Sequence, residues 1–283
     1  MNPDMLVLAA GTVQSTPFLD RLAPARAAGF NGISMFAADF EVLTAAGITA
    51  NEVRMRVADA GLVLTEVEIV GNWLPGARHK VGLPDWLVAL LDRATPDYVI
   101  EMAASLGAQG ITVGEMFGIE ASYDCAAEAF AKICERASDH GLVVALEFIP
   151  TGGVATLNDG WEIVRRAGCD NGGLLVDSWH FFRSGSSLEL LAQLPPTAIK
   201  SVQICDAPAI AEADLDDAMV HARRLPGEGA LDLSGFITAL GASISQVPIA
   251  VEVFSDALAK QPIDEIARRC AEAAHRVLQG DVK

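Results

Sequence analysis

Short apolar runs recur along the chain, and between them lie stretches whose apolar positions repeat at helical spacing. The runs at 5–11, 31–37, 62–70, 108–114, 142–148, 173–177, 199–206 and 247–254 are predicted strands. The stretches at 18–29, 50–61, 95–107, 122–141, 157–168, 187–194, 232–241 and 263–279 are predicted helices. Junction after junction ends in glycine: Ala-Ala-Gly, Ala-Asp-Ala-Gly, Ser-Leu-Gly, Asp-His-Gly and Arg-Ala-Gly. Glycine takes the left-handed position that closes a helix before the next strand. Thr95-Pro96 opens its helix with a cap and a proline in the first turn. Strict alternation of strand and helix demands a parallel sheet. Eight such units in 283 residues predict an α/β fold, a single (β/α)8 TIM barrel forming one domain over residues 1–283. No GxGxxG follows the first strand, which counts against a dinucleotide-binding sheet.

Composition narrows the partners. The net charge is -17, from 37 acidic and 20 basic residues, so a nucleic-acid polyanion meets general repulsion and a small-molecule substrate is expected instead. No apolar run reaches the length of a membrane span. The first residues carry no Lys or Arg, unlike a secretory leader. The five cysteines form no CxxC pair and are odd in number, which suits buried thiols in a reduced, cytoplasmic protein and disfavours a cysteine-ligated zinc.

The chemistry gathers where strands end. "LLVDSWHFFRSG" (174–185) sets Asp177 and His180 directly after a fully apolar run, where they either cap the next element or belong to a site. In a barrel of this kind the strand C-termini form the active face. The fifth strand ends in Glu147, the sixth in Asp177, and the seventh and eighth carry Gln203 and Glu252 near their ends. Neighbouring strands lie about 4.8 Å apart, and three carboxylates that close do not all stay ionised without a cation. All-oxygen ligation suits one divalent ion, Mn²⁺ or Mg²⁺ first, with Zn²⁺ or Co²⁺ also compatible. His180 is expected to touch substrate or carry a proton. "RRLPGEG" (223–229) offers an arginine that reaches over the mouth, Arg223 or Arg224. Glu66 and Glu68 share one face of the third strand. They either line the mouth or pair with Arg54 or Arg56 as layer residues, and they are left out of the expected site. Trp73, Phe148, Trp179, Phe181 and Phe182 are aromatic candidates for a pocket wall, though most aromatics are core. The acidic stretch at 212–217 reads as a solvated loop.

The segments "ALEF", "GLLVDSWHFFRSG", "VQICDAP", "RRLPGEGALDL" and "IAVEVFSD" together resemble the sugar phosphate isomerase/epimerase family of xylose isomerase-like TIM barrels. The resemblance spans nearly the whole chain and is strongest from residue 142 onward. It implies that Glu147, Asp177, Gln203 and Glu252 hold one divalent metal, and that His180 and Arg223 bind substrate. It further implies a metal-dependent isomerase or epimerase of a hydroxy-carbonyl compound, working through an enediolate with Glu147 and Glu252 as paired acid and base. The alternative is a dehydratase of the 3-dehydroshikimate type on the same barrel. Gln203 stands where ketose epimerases and inosose-type isomerases usually have His, and is similar to hydroxypyruvate isomerases and dehydroshikimate dehydratases. Phe148 replaces a more polar residue of many sugar epimerases. An endonuclease-like relative would need several further His ligands, and only five His occur in the chain. Relatives often form dimers or tetramers, so a homo-oligomer is expected from the resemblance.

Overall fold

The predicted strands are apolar on both faces, and the computed structural model, which describes residues 5–79 and 85–280, buries them on both faces. They are Leu6–Leu8 (β1), Gly32–Phe36 (β2), Val63–Val70 (β3), Gly110–Gly114 (β4), Val143–Glu147 (β5), Gly172–Asp177 (β6), Ile199–Ile204 (β7) and Ile249–Val251 (β8). All pair in parallel, each with the next in sequence, and β1 pairs with β8 to close the barrel. β1 and β8 are shorter than their apolar runs suggest.

Helices fill the connections: Phe18–Ala27 (α1), Ala37–Ala45 (α2), Ala50–Asp59 (α3), Asp85–Arg93 (α4), Pro96–Leu106 (α5), Tyr123–Ser138 (α6), Leu157–Ala167 (α7), Ser178–Arg183 (α8), Leu188–Gln193 (α9), Leu215–His221 (α10), Leu233–Leu240 (α11) and Ile263–Leu278 (α12). Side-chain caps start many of them. Thr49 and Glu52 form a reciprocal capping box at α3, and Thr156 and Asp159 do so at α7. Gly107 and Gly168, at φ of 68° and 62°, end α5 and α7 in the left-handed conformation. Helix and strand side chains share one core, which takes residues from all eight strands. Met5, Val7, Ala9 and Ala250 form a second, smaller apolar cluster along β1 and β8.

Four helices lie where alternation alone predicts none. α2, α4, α8 and α10 sit in segments to which the periodicity assigned neither strand nor helix. The stretch "GNWLPGARHKVGLPDW" (71–86), rich in turn formers, falls partly on residues 80–84, outside the described residues. The acidic stretch at 212–217 is structured rather than merely solvated: Asp214 caps α10, and Glu212 pairs with Arg183 at 2.8 Å. No helix among the described residues is long and apolar enough to cross a membrane.

Candidate active site

Glu147 and Asp177 are the last residues of β5 and β6, and Gln203 lies beside Asp177 in the β6–β7 register. Glu252 follows β8, its amide bonded to the Ile204 carbonyl at 3.2 Å. The strand ends thus bring all four to one rim. All are buried, as are His180 and Arg223. Asp177 answers the question its segment raised in both ways at once. One carboxylate oxygen caps α8 by accepting the His180 amide at 2.8 Å, and the other accepts from Arg223 Nη1 at 3.1 Å.

Arg223 is aimed inward by the loop after α10. The Asp206 and Arg224 backbones bond each other reciprocally at 2.8 Å, and the Arg223 amide donates to Phe254 O at 2.9 Å. The Asp206 carboxylate then accepts the amides of Ala207, Gly227 and Leu231, which fastens the Pro-Gly-Glu-Gly turn. With this backbone Arg224 points to solvent and Arg223 enters the barrel. Arg223 Nη1 bridges Asp177 and Glu252, at 3.1 and 3.2 Å. Its guanidinium packs over the rings of Trp179 and Phe254, at 5.3 and 5.1 Å from their centres. His180 Nε2 lies 3.3 Å from Glu147 Oε1 and 3.4 Å from Arg223 Nη2. Gln203 Nε2 donates to Glu252 Oε1 at 3.4 Å.

The electrostatics follow from packing these groups out of water. Burial, with repulsion from Asp177, raises Glu147 to about 8 despite Arg223. Burial pushes Glu252 well above the ordinary carboxylate range, with Glu147 and Asp177 adding to the rise and Arg223 opposing it. Burial works against the charge of Arg223, but Asp177, Cys205, Glu252 and Glu147 together raise its pKa.

Burial also lowers His180 to about 3, with Arg223 adding to the effect and Asp177 opposing it. The unfolded chain takes up a proton near 6.5 that the folded chain refuses until about 3. The stability that neutral His180 contributes is therefore present above about pH 6.5 and lost as pH falls below it. In metal-free protein, the stability gap between wild type and His180→Gln should narrow by about 2 kcal/mol between pH 7 and pH 5, read from urea midpoints. A constant gap would mean that folded His180 protonates with the unfolded chain.

The chemistry of the donor set, rather than its spacing, suits a divalent cation. It offers three carboxyls and a carboxamide on consecutive strands, and Gln203 Oε1 is buried with no hydrogen-bond partner. A cation would relieve the burden that burial and mutual repulsion place on Glu147 and Glu252. Among the described residues no three His, Cys, Asp or Glu side chains converge at coordination distance. The Arg223 guanidinium stands between two of the donors.

Sequence reasoning left the rest of the rim open. Glu66 and Glu68 do not pair with Arg54 or Arg56; they point into the barrel and are buried. Glu66 accepts from Thr112 at 3.1 Å. Burial, then Glu252 and Glu66, push Glu68 well above its ordinary range, with Ser34 opposing. Two carboxylates at i and i+2 inside an apolar run were the available signal. Of the aromatic candidates, Trp73, Phe148, Trp179 and Phe181 are core, and Phe182 packs on Phe236. Only Trp179 reaches the site, under Arg223 and edge-on to His180. The half-exposed wall comes from Phe36 and Phe254, which stack with centres 6.4 Å apart. A Cβ at Gly11 would stand 2.3 Å from the Phe254 ring, so that position needs glycine.

A closed eight-stranded barrel with its polar groups at the strand C-termini defines a class, and comparison gives the family. Residues 22–274 match the xylose isomerase-like TIM barrel, and the chain belongs to that family. A 3-dehydroshikimate dehydratase of Pseudomonas aeruginosa is 30% identical over 246 residues, 86% of this chain. The chain spans 37% of that relative's length. An inosose isomerase of Bacillus velezensis is 31% identical over 154 residues, covering 54% of each chain. The fold is shared with a solved IolI protein holding a zinc atom, at a TM-score of 0.83 and 19% identity over 99% of both chains.

Proposed function

We propose that this chain is a metal-dependent enzyme that removes the proton next to the carbonyl of a small hydroxy-carbonyl compound, sugar-like or a keto acid. The observation that carries the reading is the rim itself: Glu147, Asp177, Gln203 and Glu252 on consecutive strands, with Gln203 Oε1 buried and unpartnered. These four residues would hold one divalent ion. Oxygen donors favour Mn²⁺ or Mg²⁺; zinc or cobalt also suits the set, and the similar IolI protein holds zinc. Such an ion supplies a Lewis acid beside the carbonyl, where negative charge develops.

The chain's own residues do the proton work. The carboxylate of Glu147 or Glu252 takes the proton from the carbon between carbonyl and hydroxyl, and the electron pair left behind becomes the enediolate. The other glutamate returns a proton on the neighbouring carbon or the opposite face, which gives isomerisation or epimerisation. His180 and Arg223 bind substrate oxygens and fix its orientation. The all-buried rim keeps bulk water from competing for the proton.

A dehydratase outcome shares the first step and differs in the second. The enolate expels a β-hydroxyl, which leaves as water with a proton from the second glutamate. Two dehydratases, of Pseudomonas aeruginosa and Pseudomonas putida, each match 86% of this chain, whereas the inosose isomerases match 54% or less, and this supports the dehydratase reading. The net charge of -17 supports a small molecule rather than a nucleic acid as substrate. A cytoplasmic homo-oligomer completes the reading.

Elemental analysis of purified protein should find about one equivalent of divalent metal, and Asp177→Ala should lose it. Incubation with 3-dehydroshikimate and inosose in D₂O then separates the outcomes. Label returned without loss of water identifies an isomerase, and loss of water a dehydratase. Absence of metal after reconstitution with each ion would overturn the proposal.

A further inference from the structure

Glu68 stands on β3, across the closed barrel from Gln203 on β7. Its side chain is buried, and Oε1 has no hydrogen-bond partner. Ser34 Oγ, which accepts the Ala10 amide at 2.8 Å, lies near the Glu68 carboxyl. Oε1 is left bare, and the carboxyl lies near three other acidic groups, Glu252, Glu66 and Glu147. A buried oxygen without a partner is costly and uncommon. A buried oxygen that the fold leaves uncapped beside the proposed site is open to a ligand.

We propose that Glu68 is a substrate-binding residue, whose bare Oε1 hydrogen-bonds a hydroxyl of the substrate on the side of the mouth away from Arg223. This rests on the function proposed above and deepens it. The substrate is then a polyhydroxylated ring or chain long enough to reach from the β5–β8 rim to β3. Its carbonyl end lies by Glu147 and Glu252, and a remote hydroxyl meets Glu68. A site built to pair a hydroxyl discriminates strongly against an analogue without it, because the buried protein oxygen is then left unpaired.

The test is calorimetric binding of 3-dehydroshikimate and of inosose to Mn²⁺-loaded wild type, Glu68→Ala and Glu68→Gln, with metal content and Tm measured on each. The expected result is about one equivalent of metal in all three proteins, affinity at least tenfold weaker in Glu68→Ala, and partial rescue in Glu68→Gln, which keeps a hydrogen-bonding head. Binding by wild type with Kd unchanged within twofold in Glu68→Ala overturns the assignment of Glu68 alone. A loss of metal in both variants also overturns it, since Glu68 would then serve the cation. Binding of neither probe to wild type overturns the substrate class and this assignment with it.

Discussion

Glu147→Gln should lower kcat by about 10³-fold or more while leaving the fold intact. The isostere keeps the volume of a side chain packed at the end of β5 and retains a hydrogen-bonding head toward His180 Nε2, 3.3 Å away. It removes the one feature the proposed chemistry requires, a carboxylate that can accept a proton. A positioned general base contributes about 10²–10⁴-fold, and 10³-fold corresponds to about 4 kcal/mol of barrier. The same change would weaken oxygen ligation of the proposed metal, so the two effects add in one direction. Steady-state kinetics on the substrate identified by D₂O exchange, with near-ultraviolet circular dichroism as the fold control, checks it. Turnover within tenfold of wild type would remove Glu147 from both roles. The pKa of about 8 belongs to the cation-free pocket, where burial and Asp177 act unopposed by a divalent charge.

Asp39→Ala should cost about 3–5 kcal/mol of stability, although residue 39 lies outside the proposed set of site residues. Arg21 in α1 is 1% exposed, and its guanidinium meets the Asp39 carboxylate in two parallel bonds of 2.9 and 2.7 Å. Arg21 Nε also donates to Thr16 O at 2.6 Å, so the head has no freedom to turn outward. Truncating Asp39 leaves that charge buried and unpaired. It also removes a contact at the start of α2, where Asp39 Oδ2 accepts the Phe36 amide at 3.2 Å. Phe36 stacks on Phe254 at the mouth, so the loss loosens the pocket wall as well. A fall in Tm of about 5–10 °C by differential scanning calorimetry is expected. Arg21→Met combined with Asp39→Leu should recover most of the loss, because a matched apolar pair of similar volume replaces the ions. A double variant no more stable than Asp39→Ala would show that packing rather than the stranded charge sets the cost.

The barrel was legible because its signals are local. An apolar run buried on both faces, a helix with one apolar face and a left-handed glycine between them repeat along the chain, and only closure accommodates eight such units. The helices α2, α4, α8 and α10 were not legible. They are short, their apolar spacing covers less than three turns, and their caps come from residues such as Asp177 and Asp214 that also read as site or solvent groups. Asp39, capping α2, was invisible for the same reason, and its partnership with Arg21 joins residues 18 positions apart.

The site divides along the same line. The strand-end positions of Glu147, Asp177, Gln203 and Glu252 were fixed by sequence alone, since a barrel places every strand C-terminus on one rim. Which arginine enters the barrel was settled by the backbone bridge between Asp206 and Arg224, a pairing across the loop that no spacing rule encodes. Glu68 was present in the sequence as an ambiguous acid. The tertiary structure alone turns it inward, because its direction depends on the irregular register between β2 and β3 and on Ser34 beside it. Local pattern dictates the elements and the height of their ends. Burial, charge and the direction of a side chain are properties of neighbours, and those neighbours come from distant parts of the chain only when the barrel closes.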